Sequence, residues 1–413
     1  MNFLYNLSIS ISSLFIWFTQ FFNPKMKLFV KGRRSVFKTL KSQIKLEDKT
    51  IWFHCASLGE YEQGVPIMEA TKKMYPNHKL VVSFFSPSGF EVKKDNSIGD
   101  ITVYLPLDTQ GNAKKFIKLI HPSLAVFVKY EFWPNYLFQL KKNNIPTLLV
   151  SGLFRENQIF FKAYGSFMRS ALKNIDHFFV QDEASKKLLE SIQIENVSIS
   201  GDTRFDRVHS QLKQDNSLDF IADFKQDKIC AVLGSTWPED DSILLEYINN
   251  ASDKVKFIIA PHEVKPSRIE DLKMNIEKKT VLFSEKEEKN LTDYKVFIID
   301  TVGILTKIYS YADVAYVGGA MGKTGLHNIL EPATFGVPIV IGNNFDNFPE
   351  AKELQELKGL FSVKMSLGCS AILFKLVNDE AFRKKSGVIT KKYIQDNVGA
   401  TEKVMSYIEN LEV

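Results

Sequence analysis

The sequence predicts an α/β protein of two doubly wound, Rossmann-like domains facing a cleft, with an N-terminal anchor helix. Three observations lead there. Short apolar, β-branched runs alternate with helical stretches along most of the chain; runs without polar alternation are those of parallel strands covered on both faces. The alternation comes in two series separated by a polar stretch at about 203–228. With 413 residues the chain also exceeds one ordinary core.

In the first series the candidate strands are 50–56, 79–85, 101–105, 124–130, 147–151, 177–181 and 197–200. In the second they are 229–234, 256–260, 296–300, 313–317 and 338–341. The expected organisation is an anchor at 1–24, a first domain at 25–205, a linker at 206–228 and a second domain at 229–413. A last helix at about 393–411 is a candidate to pack back on the first domain.

Composition is that of a folded protein, 45% hydrophobic and 24% charged. The net charge of +5 is concentrated at one end, where residues 1–50 carry nine Lys/Arg against Glu47 and Asp48. A nucleic-acid-binding protein spreads its basic charge over a folded surface, so nucleic acid is excluded as an expected partner. From Phe3 to Phe22 there is no charged residue, and these 20 positions suffice to span a bilayer as a helix. Lys25, Lys27, Lys31, Arg33 and Arg34 follow, which by the positive-inside tendency makes the body of the protein face the cytoplasm. Asn6, Gln20 and several serines leave an in-plane anchor open as well. Cys55, Cys230 and Cys369 have no metal-ligand spacing and suit reduced thiols.

Ligands in doubly wound sheets sit at the carboxyl ends of strands. After the first strand, Ser57 and Glu60 have the spacing of a capping box; the same Glu60, at a strand-to-helix turn, is a candidate general base. After the fourth strand, Glu131 stands at the expected cleft rim, and Trp133-Pro134 reads as a helix start. The second series opens with Gly234-Ser235-Thr236, either a phosphate-cradling turn or an ordinary cap. His262 follows the next strand. Between Val317 and Pro332 lie Gly318, Gly319, Gly322 and Gly325, then an expected helix start at His327-Asn328 with Glu331 one turn inside. Such a loop suits a phosphorylated ligand. It is not a P-loop, because the required glycine five positions before Gly322 is Val317. No spacing supports a metal site.

S-L-G-E at 57–60, E-F-W-P-N at 131–135, G-D-T-R-F-D at 201–206, G-S-T at 234–236 and G-L-H-N-I-L-E-P-A at 325–333 occur in that order. Together with the basic N-terminus they resemble the 3-deoxy-D-manno-octulosonic acid (Kdo) transferases of lipopolysaccharide synthesis, over about residues 25–405. The resemblance implies a GT-B glycosyltransferase without metal or cofactor. Its donor is CMP-Kdo and its acceptor lipid IVA, a lipid A precursor met at the membrane surface. It implies Glu60 as the base of an inverting transfer, with Ser57, Gly59 and Glu131 on the acceptor side. It puts the donor on Gly234, Ser235, Thr236, His262, Gly318, Gly319, Lys323, Gly325, His327, Asn328 and Glu331, with Glu331 on the ribose. Lys323, His262, Arg155 and Arg204 are candidates to hold the Kdo carboxylate. Three positions depart from the family pattern: Lys129 replaces an acid, Ala260-Pro261-His262 replaces P-R-H, and G-S-T-W-P-E replaces G-S-T-x-x-G-E. Two other readings stay open: a GT-B transferase or epimerase using a UDP-sugar, and a non-catalytic, membrane-tethered nucleotide-sugar-binding protein.

Overall fold

The computed structural model describes residues 2–411. They form two compact units: one runs to Arg207 and resumes at Val398, and the other is Val208–Asn397. The first unit contains β1 (Lys49–Cys55), β2 (His78–Phe84), β3 (Ile101–Tyr104), β4 (Pro122–Val128), β5 (Thr147–Gly152), β6 (His177–Val180) and β7 (Val197–Ile199). Their order in the sheet is β3-β2-β1-β4-β5-β6-β7, all parallel. The second unit contains β8 (Ile229–Thr236), β9 (Val255–Pro261), β10 (Thr280–Leu282), β11 (Val296–Ile298), β12 (Val314–Val317), β13 (Ile339–Ile341) and β14 (Leu360–Ser362). These are again all parallel, in the order β10-β11-β9-β8-β12-β13-β14.

Apolar runs produce this arrangement because each central strand is covered twice. Along β1, Trp52 joins one core with Phe127 and Tyr136, while Ile51 and Phe53 join the opposite core with Val126 and Met68. The direction of winding reverses between β1 and β4, and again between β8 and β12. The chain turns that follow these four strands are therefore the positions where an open parallel sheet leaves a crevice.

Two strands escaped the sequence reading. β10 and β14 are three-residue strands at the two edges of the second sheet. The expected linker at 206–228 is largely helical instead, with helices Thr203–Ser210 and Asp219–Lys225. The second helix carries Ile221 and Phe224 into the core of the second unit, and Phe224 meets Phe297 at 5.3 Å between ring centroids. Apolar residues at a three-residue interval were the overlooked helical signal.

The expected second domain, 229–413, loses its end to the first unit. The helix Glu380–Asn397 stops, Gly399 takes a φ of 108°, and a new helix runs over Ala400–Glu409. Asp206 captures that turn by accepting hydrogen bonds from the Gly399 and Thr401 N–H groups, both at 2.6 Å. Val404, Met405 and Ile408 then complete the core beneath helix Leu58–Met74.

At the N-terminus the helix covers Asn2–Thr19, and Pro24–Arg34 follows as a separate helix capped by Asn23. The uncharged stretch to Phe22 is thus not one continuous helix. Among the described residues, no helix is long and apolar enough to cross a membrane. Phe3, Phe15, Phe18 and Phe22 remain exposed. The helix is tied to its unit by the Tyr5 hydroxyl, which donates to Asp108 at 2.7 Å, and by Asn135, which donates to Asn6 at 3.0 Å. Arg33, counted above with the membrane-proximal cations, instead points inward. Its guanidinium donates to the Leu105 and Phe85 carbonyls and lies 3.5 Å from the Phe29 ring centroid.

Replacing Ile408, fully buried beneath helix Leu58–Met74, by Ala should cost about 3 kcal/mol through lost burial and a residual cavity. A urea titration followed by Trp52 fluorescence should show a lower midpoint for that unit.

Candidate functional site

In the first unit, the turn after β1 leads into helix Leu58–Met74. Ser57 caps it, and Glu60 returns its carboxylate to the start of the turn, so the capping box is complete. Glu60 Oε2 accepts from the N–H groups of Ala56 and of Ser57, the latter at 3.2 Å. Glu60 is only 9% exposed. Burial, reinforced by the charge of Glu131, pushes its carboxyl up to about 7, while the two N–H donors and Lys129 pull the other way. The capping reading of Glu60 is met, and its raised proton affinity is compatible with the acid–base reading. Gly59 is exposed on the outer side of the same turn.

The turn after β4 belongs to the same switch point. Lys129 adopts a φ of 71°, a conformation that a non-glycine residue holds only when its surroundings demand it. Glu131 follows, 9% exposed. Its Oε2 lies 3.0 Å from His54 Nε2 and accepts from Trp133 Nε1 at 2.8 Å, and Trp133 Nε1 is also 3.0 Å from His54 Nε2. His54 is fully buried, and its Nδ1 lies 2.8 Å from Ser83 Oγ. His54, Ser83 and Trp133 were not among the sequence candidates. His54 sits inside a buried strand run and Ser83 on the neighbouring strand, so only strand pairing, with His54 opposite Ser83, reveals them as partners.

The motif at 201–206 serves structure in this unit. Thr203 donates to the Gln63 carbonyl at 2.6 Å, Gln63 donates to Asp202 at 3.1 Å, and Asp206 caps the returning helix. Arg204 is ion-paired with Asp202 at 2.7 Å, whereas Arg155 is exposed.

In the second unit, the turns after β8 and β12 are joined by one carboxylate. Asp240, fully buried, accepts from Trp237 N at 2.9 Å, Gly319 N at 2.9 Å and the Tyr316 hydroxyl at 2.7 Å. The glycines fit because the approach is close: a Cβ on Gly318 would stand 2.3 Å from the Ser235 carbonyl oxygen, and one on Gly319, whose φ is 96°, 2.1 Å from that of Gly325. Ser235 also takes a positive φ, 54°, and Thr236 is buried behind it.

Beside this loop, Trp237, His262 and His327 form a stack, with centroids 4.6 Å apart for Trp237–His262 and 4.4 Å for His262–His327. Trp237 Nε1 donates to His327 Nε2 at 3.0 Å. Burial, aided by the neighbouring His262, lowers the His327 imidazole to about 4, so it is neutral near pH 7. Glu331 is oriented from both sides, accepting from Asn328 Nδ2 at 3.1 Å and Thr306 Oγ1 at 3.0 Å. Lys323 is exposed at the tip of the loop.

Two expectations for this loop need correction. The helix begins at Leu330, not at His327-Asn328, and spans only Leu330–Thr334. The N–H groups of Gly318, Gly319 and His327 are used inside the unit, on Gly234 O, Asp240 and Gly318 O. The loop folds on itself because a mobile glycine segment would leave those donors buried and unpaired. Among the described residues, no group of three or more His, Cys, Asp and Glu is arranged to hold a metal ion.

A family model described as 3-deoxy-D-manno-octulosonic-acid transferase (kdotransferase) matches residues 30–207. A bifunctional glycosyltransferase/methyltransferase of Fusobacterium nucleatum is 28% identical over 361 residues, 83% of this chain and 54% of the relative. The chain thus spans about half the length of that relative. The 3-deoxy-D-manno-octulosonic acid transferase of Haemophilus influenzae is 26% identical over 87% of this chain and 86% of its own. That of Chlamydophila psittaci is 27% identical over 78% and 75%. Among solved structures, the UDP-GlcNAc 2-epimerase of Neisseria meningitidis aligns with a TM-score of 0.63 at 14% identity, covering 88% of this chain and all of that one. Acinetobacter baumannii MurG aligns at 0.54 and 10% identity, over 88% and 100%. Identities this low show the fold alone, and that fold is the GT-B class.

Asp240→Ala would leave the Gly319 and Trp237 N–H groups without their acceptor. Hydrogen exchange at both amides should accelerate at least tenfold, corresponding to about 1.4 kcal/mol of local stability.

Proposed function

The chain belongs to the 3-deoxy-D-manno-octulosonic acid transferase family, and from that premise we propose that it transfers Kdo from CMP-Kdo to lipid IVA in lipopolysaccharide synthesis, with inversion. The observation that carries this reading is Glu60: a half-desolvated carboxyl poised near 7, held by its own helix start at the switch point beside β1. A base with that affinity takes a hydroxyl proton efficiently at neutral pH.

The acceptor hydroxyl oxygen attacks the anomeric carbon of Kdo while its proton passes to Glu60. The bond from that carbon to the phosphate oxygen breaks, and CMP leaves with the electron pair. Ser57 and Gly59 shape the turn that presents Glu60, and Glu131 flanks it. The donor belongs to the second unit. Gly234, Ser235 and Thr236 approach the phosphate together with Lys323 and Gly325, on a loop whose base is fixed by Gly318 and Gly319; His262, His327 and Asn328 border it. Glu331, oriented by Thr306 and Asn328, accepts from the ribose hydroxyls. Oriented donors around a departing phosphate stabilise the charge it gathers. The reaction needs no metal and no cofactor.

The acceptor is a lipid, and the N-terminal segment suits meeting it at the cytoplasmic face of the inner membrane. The aromatic and aliphatic face of helix Asn2–Thr19 is exposed, and Lys25, Lys27, Lys31 and Arg34 stand close to anionic headgroups when that helix lies in the membrane plane.

Incubation with CMP-Kdo and lipid IVA should add one or more Kdo masses to the lipid; no mass gain at any enzyme level would sink the proposal. CMP should bind where UDP does not. Glu60→Gln should lower kcat by about 10²–10⁴-fold, the usual contribution of a positioned base. The pH dependence has opposite signs for activity and stability. The folded protein holds the Glu60 proton more tightly than the unfolded chain, from an ordinary 4.5 up to about 7, so its contribution to stability declines as pH rises through that window. Activity needs the ionised form, so kcat/KM should climb through about pH 7 and then level off.

A further inference from the structure

Tyr61, Tyr104, Tyr136, Tyr309 and Tyr316 are at most 1% exposed, and four of these five hydroxyls are paired within the protein. Tyr61 accepts from the Ile98 N–H at 2.8 Å. Tyr104 donates to Glu91 at 3.1 Å, Tyr136 to the Pro106 carbonyl at 2.9 Å and Tyr316 to Asp240 at 2.7 Å. The Tyr309 hydroxyl has no hydrogen-bond partner among the described residues. A buried donor left unpaired is costly, so one that persists calls for an acceptor that the chain itself does not supply.

The surroundings of Tyr309 indicate where that acceptor enters. The residue follows helix Leu305–Ile308, and its ring joins the core of the second unit with Val232, Ala260 and Ala315. Its hydroxyl comes up at the end of β8. A Cβ on Gly234 would collide with it, and would stand 2.9 Å from the ring carbon that bears it and 3.1 Å from Leu305 Cδ2. Gly234 is not among the glycines with positive φ. A glycine is needed here for space, and the space is taken by the hydroxyl. Thr306, three positions before Tyr309 and so on the same helical face, donates to Glu331 at 3.0 Å. Burial, and then the charge of Glu331, raise the proton affinity of the Tyr309 phenol, which therefore stays an O–H donor.

Resting on the reading of this unit as the one that binds CMP-Kdo, we propose that Tyr309 is a further donor-binding residue, its hydroxyl donating to a phosphoryl oxygen of the nucleotide beside Gly234. The two groups at this corner are complementary. The Glu331 carboxylate only accepts, which suits ribose hydroxyls, whereas the Tyr309 O–H is a donor, which suits an oxygen that only accepts. The ligand then supplies the partner that the empty fold withholds, and the hydroxyl discriminates between occupied and unoccupied states without contributing to the fold itself.

The test is Tyr309→Phe in the full chain, which removes one oxygen and leaves the ring. No hydrogen bond within the protein is lost, so the thermal midpoint without ligand should not fall. Calorimetric titration with CMP should give a Kd about tenfold higher than wild type, the loss of one hydrogen bond to a charged group. With CMP-Kdo and lipid IVA, KM for CMP-Kdo should rise by a similar factor while kcat changes little, because the bond is made to bound donor and transition state alike. A CMP affinity within about twofold of wild type would overturn the assignment whether or not the midpoint falls. A variant that fails to fold would overturn it too, since the hydroxyl would then be part of the fold. If the wild-type chain itself binds no CMP, the donor reading has failed and the role of Tyr309 falls with it.

Discussion

A helix that begins directly after a parallel strand brings several N–H groups into a crowded turn, and each must find an acceptor. Both units meet this requirement with an acid at the third helical position: Glu60 after β1 and Asp240 after β8. Their surroundings then separate them. Asp240 is fully buried, and the Tyr316 hydroxyl and Gly319 N–H share it, so its charge is consumed in holding the loop after β12. Glu60 uses one carboxylate oxygen for the turn and faces a second carboxylate, which leaves it close to neutrality in proton affinity. The same capping constraint therefore yields a structural clamp in one unit and, in the other, a buried carboxyl with raised proton affinity.

The reversal of strand order concentrates these features. Ser57, Glu60 and Glu131 follow the two strands flanking the first reversal, and Ser235, Asp240, Gly319 and His327 lie at or beyond the ends of those flanking the second. Non-glycine residues with positive φ stand at two of these strand ends, Lys129 after β4 and Ser235 in β8. Conformations of that kind persist only where neighbouring structure over-determines them. By contrast, Asp202, Thr203 and Asp206 work as internal fasteners.

The N-terminal helix illustrates how one segment serves two environments. Its polar residues Tyr5 and Asn6 attach to Asp108 and Asn135, whereas its aromatic face stays outward. Asp108 also accepts from the N–H groups of Asn135 and Tyr136, at the start of the helix that follows Trp133. Attachment of the amphipathic segment and construction of the turn after β4 thus rest on one buried carboxylate.

Apolar runs and their spacing determined the fold class, because a strand buried on both faces has almost no freedom to be anything but β-branched and apolar. Most strands were legible for that reason, while β10 and β14, at the two edges of the second sheet, were not. The capping box at Ser57–Glu60 and the glycine loop after β12 were legible too, since each is a local pattern with a local cause. Tertiary structure decided what no local pattern carries. It set Ser83 opposite His54 across a strand pair, brought Asp240 onto the Gly319 loop 79 positions away, and returned residues 398–411 to the first unit. The proton affinity of Glu60 belongs to this second class, because it depends on how deeply a side chain is buried and which charge faces it. Neither quantity exists until the chain has closed.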